Sequence, residues 1–229
     1  MSGGAVAGVA GYGRRHWLLA VLLAMLAGYV DAVGFLTVGG FFVSFMSGNS
    51  TRMAVSIGTG GGEAWTPAAL IGSFVAGVVV AALLAMRAGA RRKSVVLTLV
   101  AALLALAGAA RAPMVVAMLL AAAMGAENGV FQQQGEVSIG VTYMTGTLVK
   151  LGQRIAAALA GGPRWAWVPF LGLWLGLMAG AVLGALSFPA AWGLWAASGA
   201  AALLALLARW VVPLPAQDRP DGNRGLSRI

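Results

Sequence analysis

Apolar residues fill this chain in blocks, and polar residues are confined largely to the gaps between them. Eight blocks can be marked, at about residues 17–38, 41–58, 67–86, 94–110, 114–134, 137–158, 168–186 and 190–211. A helix needs about 20 residues, at 1.5 Å each, to cross a hydrocarbon core of roughly 30 Å, so most blocks are long enough to span a bilayer. The pattern predicts an all-α fold, a polytopic membrane helix bundle. It forms a single transmembrane domain over residues 15–212, with a flexible tail at 1–14 and a disordered cytoplasmic tail at 213–229, where Pro, Gly and charge leave nothing to bury.

Two blocks depart from the rest. The second carries "MSGNSTR" and the sixth "YMTGTLVK", with Gly and hydroxyl residues where an ordinary span has Leu or Val. "SFMSGNSTR" (Ser44 to Arg52) matches "TYMTGTLVK" (Thr142 to Lys150) at a separation of 98 residues. Upstream, "LLAMLAGYVDAV" from Leu22 matches "LLAAAMGAENGV" from Leu119 at a separation of 97, which sets Asp31 opposite Asn128. Downstream, "IGSFVAG" from Ile71 corresponds loosely to "LGLWLGL" from Leu171. The same order of features in both halves, about 15–110 and 112–211, predicts an internal repeat.

Charge then bears on topology. The balance is +9, and the basic residues sit at the ends of apolar runs, a placement that orients a protein in a membrane and gives no basic face for nucleic acid. If all eight blocks crossed, "RAGARRK", with Arg87, Arg91, Arg92 and Lys93, would fall outside, against the strongest charge signal in the chain. If the second and sixth blocks dip in and return, six helices cross. The N-terminus, "RAGARRK", the region of Lys150, Arg154 and Arg164, and Arg209 are then all cytoplasmic. Three crossings per half would insert the halves in opposite senses, as in the inverted repeats of many secondary transporters. Eight full crossings with parallel repeats is the alternative. The opening "GRRHWLLAVLLAMLAG" has the order of a signal peptide but is expected as a retained first helix, because the apolar run continues past Asp31 to about Val38.

Composition removes several chemistries. The chain has no Cys and one His, so disulfides, thiolate nucleophiles, and Cys- or His-rich metal sites are excluded within one chain. His16, beside Arg14 and Arg15, is expected as a solvated interfacial residue. No HExxH, GxxxxGK or Ser/His pair at depth occurs, so no enzyme, cofactor or metal is predicted.

The candidate chemistry is polar residues at membrane depth. Asp31 lies about fourteen residues past the cationic edge, where a charge costs on the order of 2.5 to 3.5 kcal/mol and needs a partner, a proton or a wet cavity. It reads as a substrate-binding or proton-carrying carboxylate, or else as an interfacial or ion-paired structural one. Glu127 sits at matching depth beside Asn128 and before Gln132, Gln133 and Gln134, some of which must face a polar cavity or the far aqueous side. Glu136 is expected in a loop. Gly48 and Gly146 are expected to break their helices, with Ser47, Asn49 or Ser50, and Thr145 or Thr147, capping the new N-termini. Two such dipole ends, reinforced by Arg52 and Lys150, would attract an anionic or zwitterionic solute. The bland alternative is close helix packing. Gly172, Gly176, Gly180 and Gly184 form a small-residue stripe for packing within the bundle or in a homo-oligomer. Trp165, Trp167, Trp192, Trp195 and Trp210 suit an interfacial belt.

The pattern "GYVDAVGFL" followed by "FFVSFMSGNSTRMAV" resembles the YoaK family of small bacterial membrane proteins, a domain-of-unknown-function family. The resemblance rests on Asp31, Ala32 and Phe35, then Ser47, Gly48 and Asn49, with Glu127, Asn128 and Met144 to Gly146 in the second half. It implies a bacterial inner-membrane protein of about six helices and no established activity. Taken with the residues, the expectation is a small-solute permease with a midplane site of Asp31, Ser47, Gly48, Asn49, Arg52, Glu127, Asn128, Thr145, Gly146 and Lys150. A non-transporting assembly or sensory subunit is the rival.

Overall fold

Helices account for almost all of the chain wherever its structure is described. A computed structural model describes residues 14–133, 136–137, 143–188, 190 and 192–209. Both tails, Gln134, Thr142 and Trp210 lie outside the described residues, as do the side chains of Gln132, Gln133 and Glu136. Among the described residues there are eight α-helices: α1 Arg14–Thr37, α2 Met46–Gly58, α3 Trp65–Ala88, α4 Arg92–Ala109, α5 Pro113–Glu127, α6 Met144–Leu159, α7 Val168–Ser187 and α8 Gly193–Leu207. After α5 a 3-10 turn, Asn128–Phe131, leads to two short antiparallel strands, β1 Gln132–Gln133 and β2 Glu136–Val137. Glu136, expected in a loop, pairs with Gln133 in that ribbon.

The bundle is apolar on both sides of its wall. Leu23, Val30, Leu97, Val100, Leu104, Leu120 and Met124 are fully buried. Val75, Val79, Leu83, Leu175, Leu183, Leu186, Leu203 and Leu206 are exposed on the outer faces of α3, α7 and α8. A surface of that kind belongs in lipid. Four segments are long and apolar enough to cross a membrane: Arg15–Thr37, Gly62–Ala109, Pro113–Val130 and Val168–Ser187. The second of these folds back at Gly89, whose φ of +53° suits glycine, into the hairpin of α3 and α4, and "RAGARRK" occupies its tip. Gly193–Leu207 is a shorter apolar helix.

Packing is dominated by α1 on α7, α3 on α5, and α4 between α5 and α8. The first two contacts are built by glycines in a reciprocal manner. A Cβ on Gly28 of α1 would run into the backbone carbonyl of Leu177 on α7, and one on Gly180 into that of Met25. In the other pair, a Cβ on Gly125 of α5 would strike the carbonyl of Phe74 on α3, and one on Gly77 that of Ala122. Gly28 and Gly125 are 97 residues apart, as are Met25 and Ala122. Phe74 and Leu177 are 103 apart, as are Gly77 and Gly180. These separations of 97 and 103 bracket the looser 100 expected from Ile71 and Leu171. α6 is three residues longer than α2, 16 against 13. The stripe of Gly176, Gly180 and Gly184 faces Val21, Met25 and Tyr29 of the same chain, the within-bundle alternative.

The expected breaks at Gly48 and Gly146 do not occur there. α2 runs unbroken through Gly48 and α6 through Gly146. The chain leaves helical geometry just upstream, with Phe45 and Tyr143 at the N-cap positions, again 98 residues apart, and no side chain caps either end. Ser47, Asn49, Ser50, Thr145 and Thr147 are therefore inside their helices. Ser50, Thr51 and Thr147 use their hydroxyls to donate to the carbonyls of Met46, Ser47 and Tyr143 respectively. Both helices end alike. Gly60 (φ +69°) and Gly161 (φ +89°) turn the chain, and the amides of Gly61 and Gly162 donate to the carbonyls of Ser56 and Ala157 at 2.8 and 2.9 Å. This six-to-one closure with a left-handed glycine is a Schellman motif.

Candidate functional site

α1 carries Asp31 about 25 Å along its axis from Arg14, at 1.5 Å per residue. Gly39 and Gly40, with φ of +66° and +99°, then reverse the chain. Residues 41–45 descend beside α1 before α2 begins. In that descent the amides of Val43 and Ser44 donate to Asp31 Oδ1 at 2.9 and 2.8 Å. Non-helical backbone at membrane depth needs such partners, since lipid offers none. Asn49 provides the second tie. Fully buried, it accepts from the amide of Phe42 at 3.0 Å and donates Nδ2 to the carbonyl of the same residue at 2.6 Å. The two residues that stand out in "DA" and "SGN" thus hold one dipping loop from opposite sides.

The remaining first-half candidates serve the same loop or face outward. A Cβ on Gly48 would lie 3.1 Å from the Phe42 ring, so the glycine lets the loop close on α2. Ser47 is exposed. Arg52 is also exposed, with its guanidinium carbon 4.9 Å from the centroid of the Phe41 ring, and it does not point into the bundle.

In the second half Glu127 ends α5, fully buried, and neither carboxyl oxygen has a hydrogen-bond partner among the described residues. Asn128 is buried and donates Nδ2 to the Met124 carbonyl at 2.9 Å. Thr147 is buried, whereas Thr145, Gly146 and Lys150 are exposed. α2 packs chiefly on α3, and α6 on α7, with no substantial packing between the two half-helices. The expected meeting of two dipole ends with Arg52 and Lys150 at one point is therefore not formed, because each half-helix stays with its own half. His16, expected to be solvated, is buried.

What the structure does assemble is a partly open cavity of about 290 Å³ between α1 and α7, with Phe42 among its walls. Asp31, Ala32 and Phe35 line it from α1, and Leu177, Ala181 and Ala185 from α7. The Phe35 and Phe42 rings lie 5.1 Å apart between centroids. Phe42 was not among the residues singled out from sequence. Phe35 is one turn beyond Asp31 on the same face, a spacing of four that a helical reading makes visible.

A family profile described as "Protein of unknown function (DUF1275)" matches residues 19–209. The chain belongs to the DUF1275 family. It is 36% identical over 203 residues to the UPF0700 transmembrane protein RA0705 of Rhizobium meliloti (strain 1021), covering 88% of this chain and 89% of that protein. The match takes in all eight helices apart from the first few residues of α1, and accords with the resemblance to YoaK proteins. No solved structure matches the chain. This DUF1275 member is thus a transmembrane protein in which Asp31 and Asn49 tie the segment 42–44 to α1 and α2.

Proposed function

We propose that this DUF1275 protein is a small-solute permease of the bacterial inner membrane, without enzymatic activity, and that solute binds in the cavity beside Asp31. The observation that carries this reading is a carboxylate at membrane depth that lines a cavity and is held in place by a loop. Intramembrane acids in such positions mark substrate or proton pathways. On this reading the chain is an inverted repeat, with α1, α3 and α4 crossing in one half and α5, α7 and α8 in the other. The reciprocal glycine contacts, the N-caps 98 residues apart and the paired Schellman endings of α2 and α6 are what two copies of one unit would produce.

The rival, a non-transporting subunit, draws on the same hydrogen bonds, since Asp31 would then be needed only to satisfy the amides of Val43 and Ser44. Asp31→Asn separates the two. Asparagine keeps an acceptor for both amides and removes the charge. Purified protein in liposomes should move a solute down an imposed gradient, and Asp31→Asn should abolish that movement while the protein remains folded. Unchanged flux in the variant would favour the structural role.

A further inference from the structure

We infer that the cavity beside Asp31 binds a small organic cation, an amine or quaternary ammonium with an apolar body. This rests on the permease reading only for its consequence, since binding can be measured without transport. The cavity is one-signed in a protein that is otherwise strongly basic. Asp31 is its one charged lining residue among the described residues, and no Lys or Arg lines it. The nearby cation on α2, Arg52, is turned onto Phe41.

The donor set narrows the ligand further. Asp31 Oδ1 already accepts two amides, and the Ser44 side chain also interacts with the carboxylate, so what Asp31 offers a ligand is charge more than spare hydrogen-bonding capacity. A bare Mg²⁺ or Ca²⁺ needs about six oxygen ligands, and the other lining side chains are all hydrocarbon. An anion or a sugar would find no side-chain donor on the walls. An organic cation, by contrast, can pair its charge with Asp31, stack it over the faces of Phe35 or Phe42, and cover its hydrocarbon against Ala32, Leu36 and Ala181. At about 290 Å³ the space sits at the lower end of ligand cavities, roughly 300 to 1,000 Å³. The anionic or zwitterionic solute expected from sequence drew on Arg52 and Lys150, and neither lines this cavity.

The test uses the full chain in nanodiscs of phosphatidylglycerol, a lipid without an amine, and calorimetric binding of benzyltrimethylammonium. Neopentylbenzene, its neutral isostere, and benzenesulfonate serve as controls. Saturable binding of the cation is expected, at least tenfold tighter than either control, and at least tenfold weaker in Asp31→Asn. Ala181→Leu fills the cavity without touching the Asp31 hydrogen bonds and should abolish binding, which keeps the test decisive if the Asp31 variant does not fold. Equal binding of all three compounds, or full binding by a folded Ala181→Leu, overturns the inference. Loss of transport with binding intact would instead count against the permease reading alone.

Discussion

Gly125→Ala and Gly146→Ala should have opposite effects on stability. At Gly125 the added methyl would collide with the Phe74 backbone, so α3 and α5 must move apart by about 1 Å over the crossing. A gap of that size forfeits roughly a quarter to a half of each affected dispersion contact, at about 0.1 to 0.2 kcal/mol per atom pair. Over some 20 pairs this comes to roughly 1 kcal/mol, and strain from overpacking adds about 1 to 3 kcal/mol. At Gly146 nothing lies within 4 Å, and the residue is inside α6, so the methyl meets no obstacle and gains up to about 1 kcal/mol of helix propensity. Thermal unfolding in detergent, followed by loss of monodisperse protein on size exclusion, should place Gly125→Ala below the wild type and Gly146→Ala at or above it. Gly28→Ala should behave as Gly125→Ala does. If Gly125→Ala is as stable as the wild type, the close crossing is wrong. If Gly146→Ala is the damaging change, Gly146 is a break after all.

Asn49→Ala leaves the part-buried amide and carbonyl of Phe42 without their Asn49 partner, which should cost at most about 2 to 6 kcal/mol of stability at roughly 1 to 3 kcal/mol each. Asn49→Asp keeps the acceptor, loses the donor and should fall between, in the same unfolding assay. Glu127→Gln should leave stability unchanged or raise it, because the buried carboxyl has no hydrogen-bond partner among the described residues to lose. A transport defect in that stable variant would mark Glu127 as a working group, and marked destabilisation would show a partner that the described residues lack. Topology is open to impermeant thiol labelling, since the chain has no natural Cys. A Cys at the exposed Gly62 should react from outside the cell and one at the exposed Ala90 only from the cytoplasm, and the reverse would defeat the six-crossing arrangement.

The membrane setting and the helical class follow from local composition, because burial in lipid is written into every residue of a span. The importance of Asp31 and Asn49 is legible for the same reason, since a carboxylate or a signature amide among apolar neighbours needs an account wherever the helix lies. Their partners are not legible. That Asp31 accepts from Val43 and Ser44 and Asn49 clamps Phe42 depends on how the chain returns after Gly39 and Gly40, and backbone amides carry no sequence identity. Gly48 and Gly146 look like breaks because glycine permits a break, yet permission is not a requirement, and the helices start at Met46 and Met144 instead. The glycines that matter most, Gly28, Gly77, Gly125 and Gly180, look ordinary in sequence. Only the crossing of two helices sets a carbonyl where a Cβ would be. The cavity is of the same kind: α7 supplies Leu177, Ala181 and Ala185 to a space whose acid stands some 150 residues earlier, and no local pattern joins them.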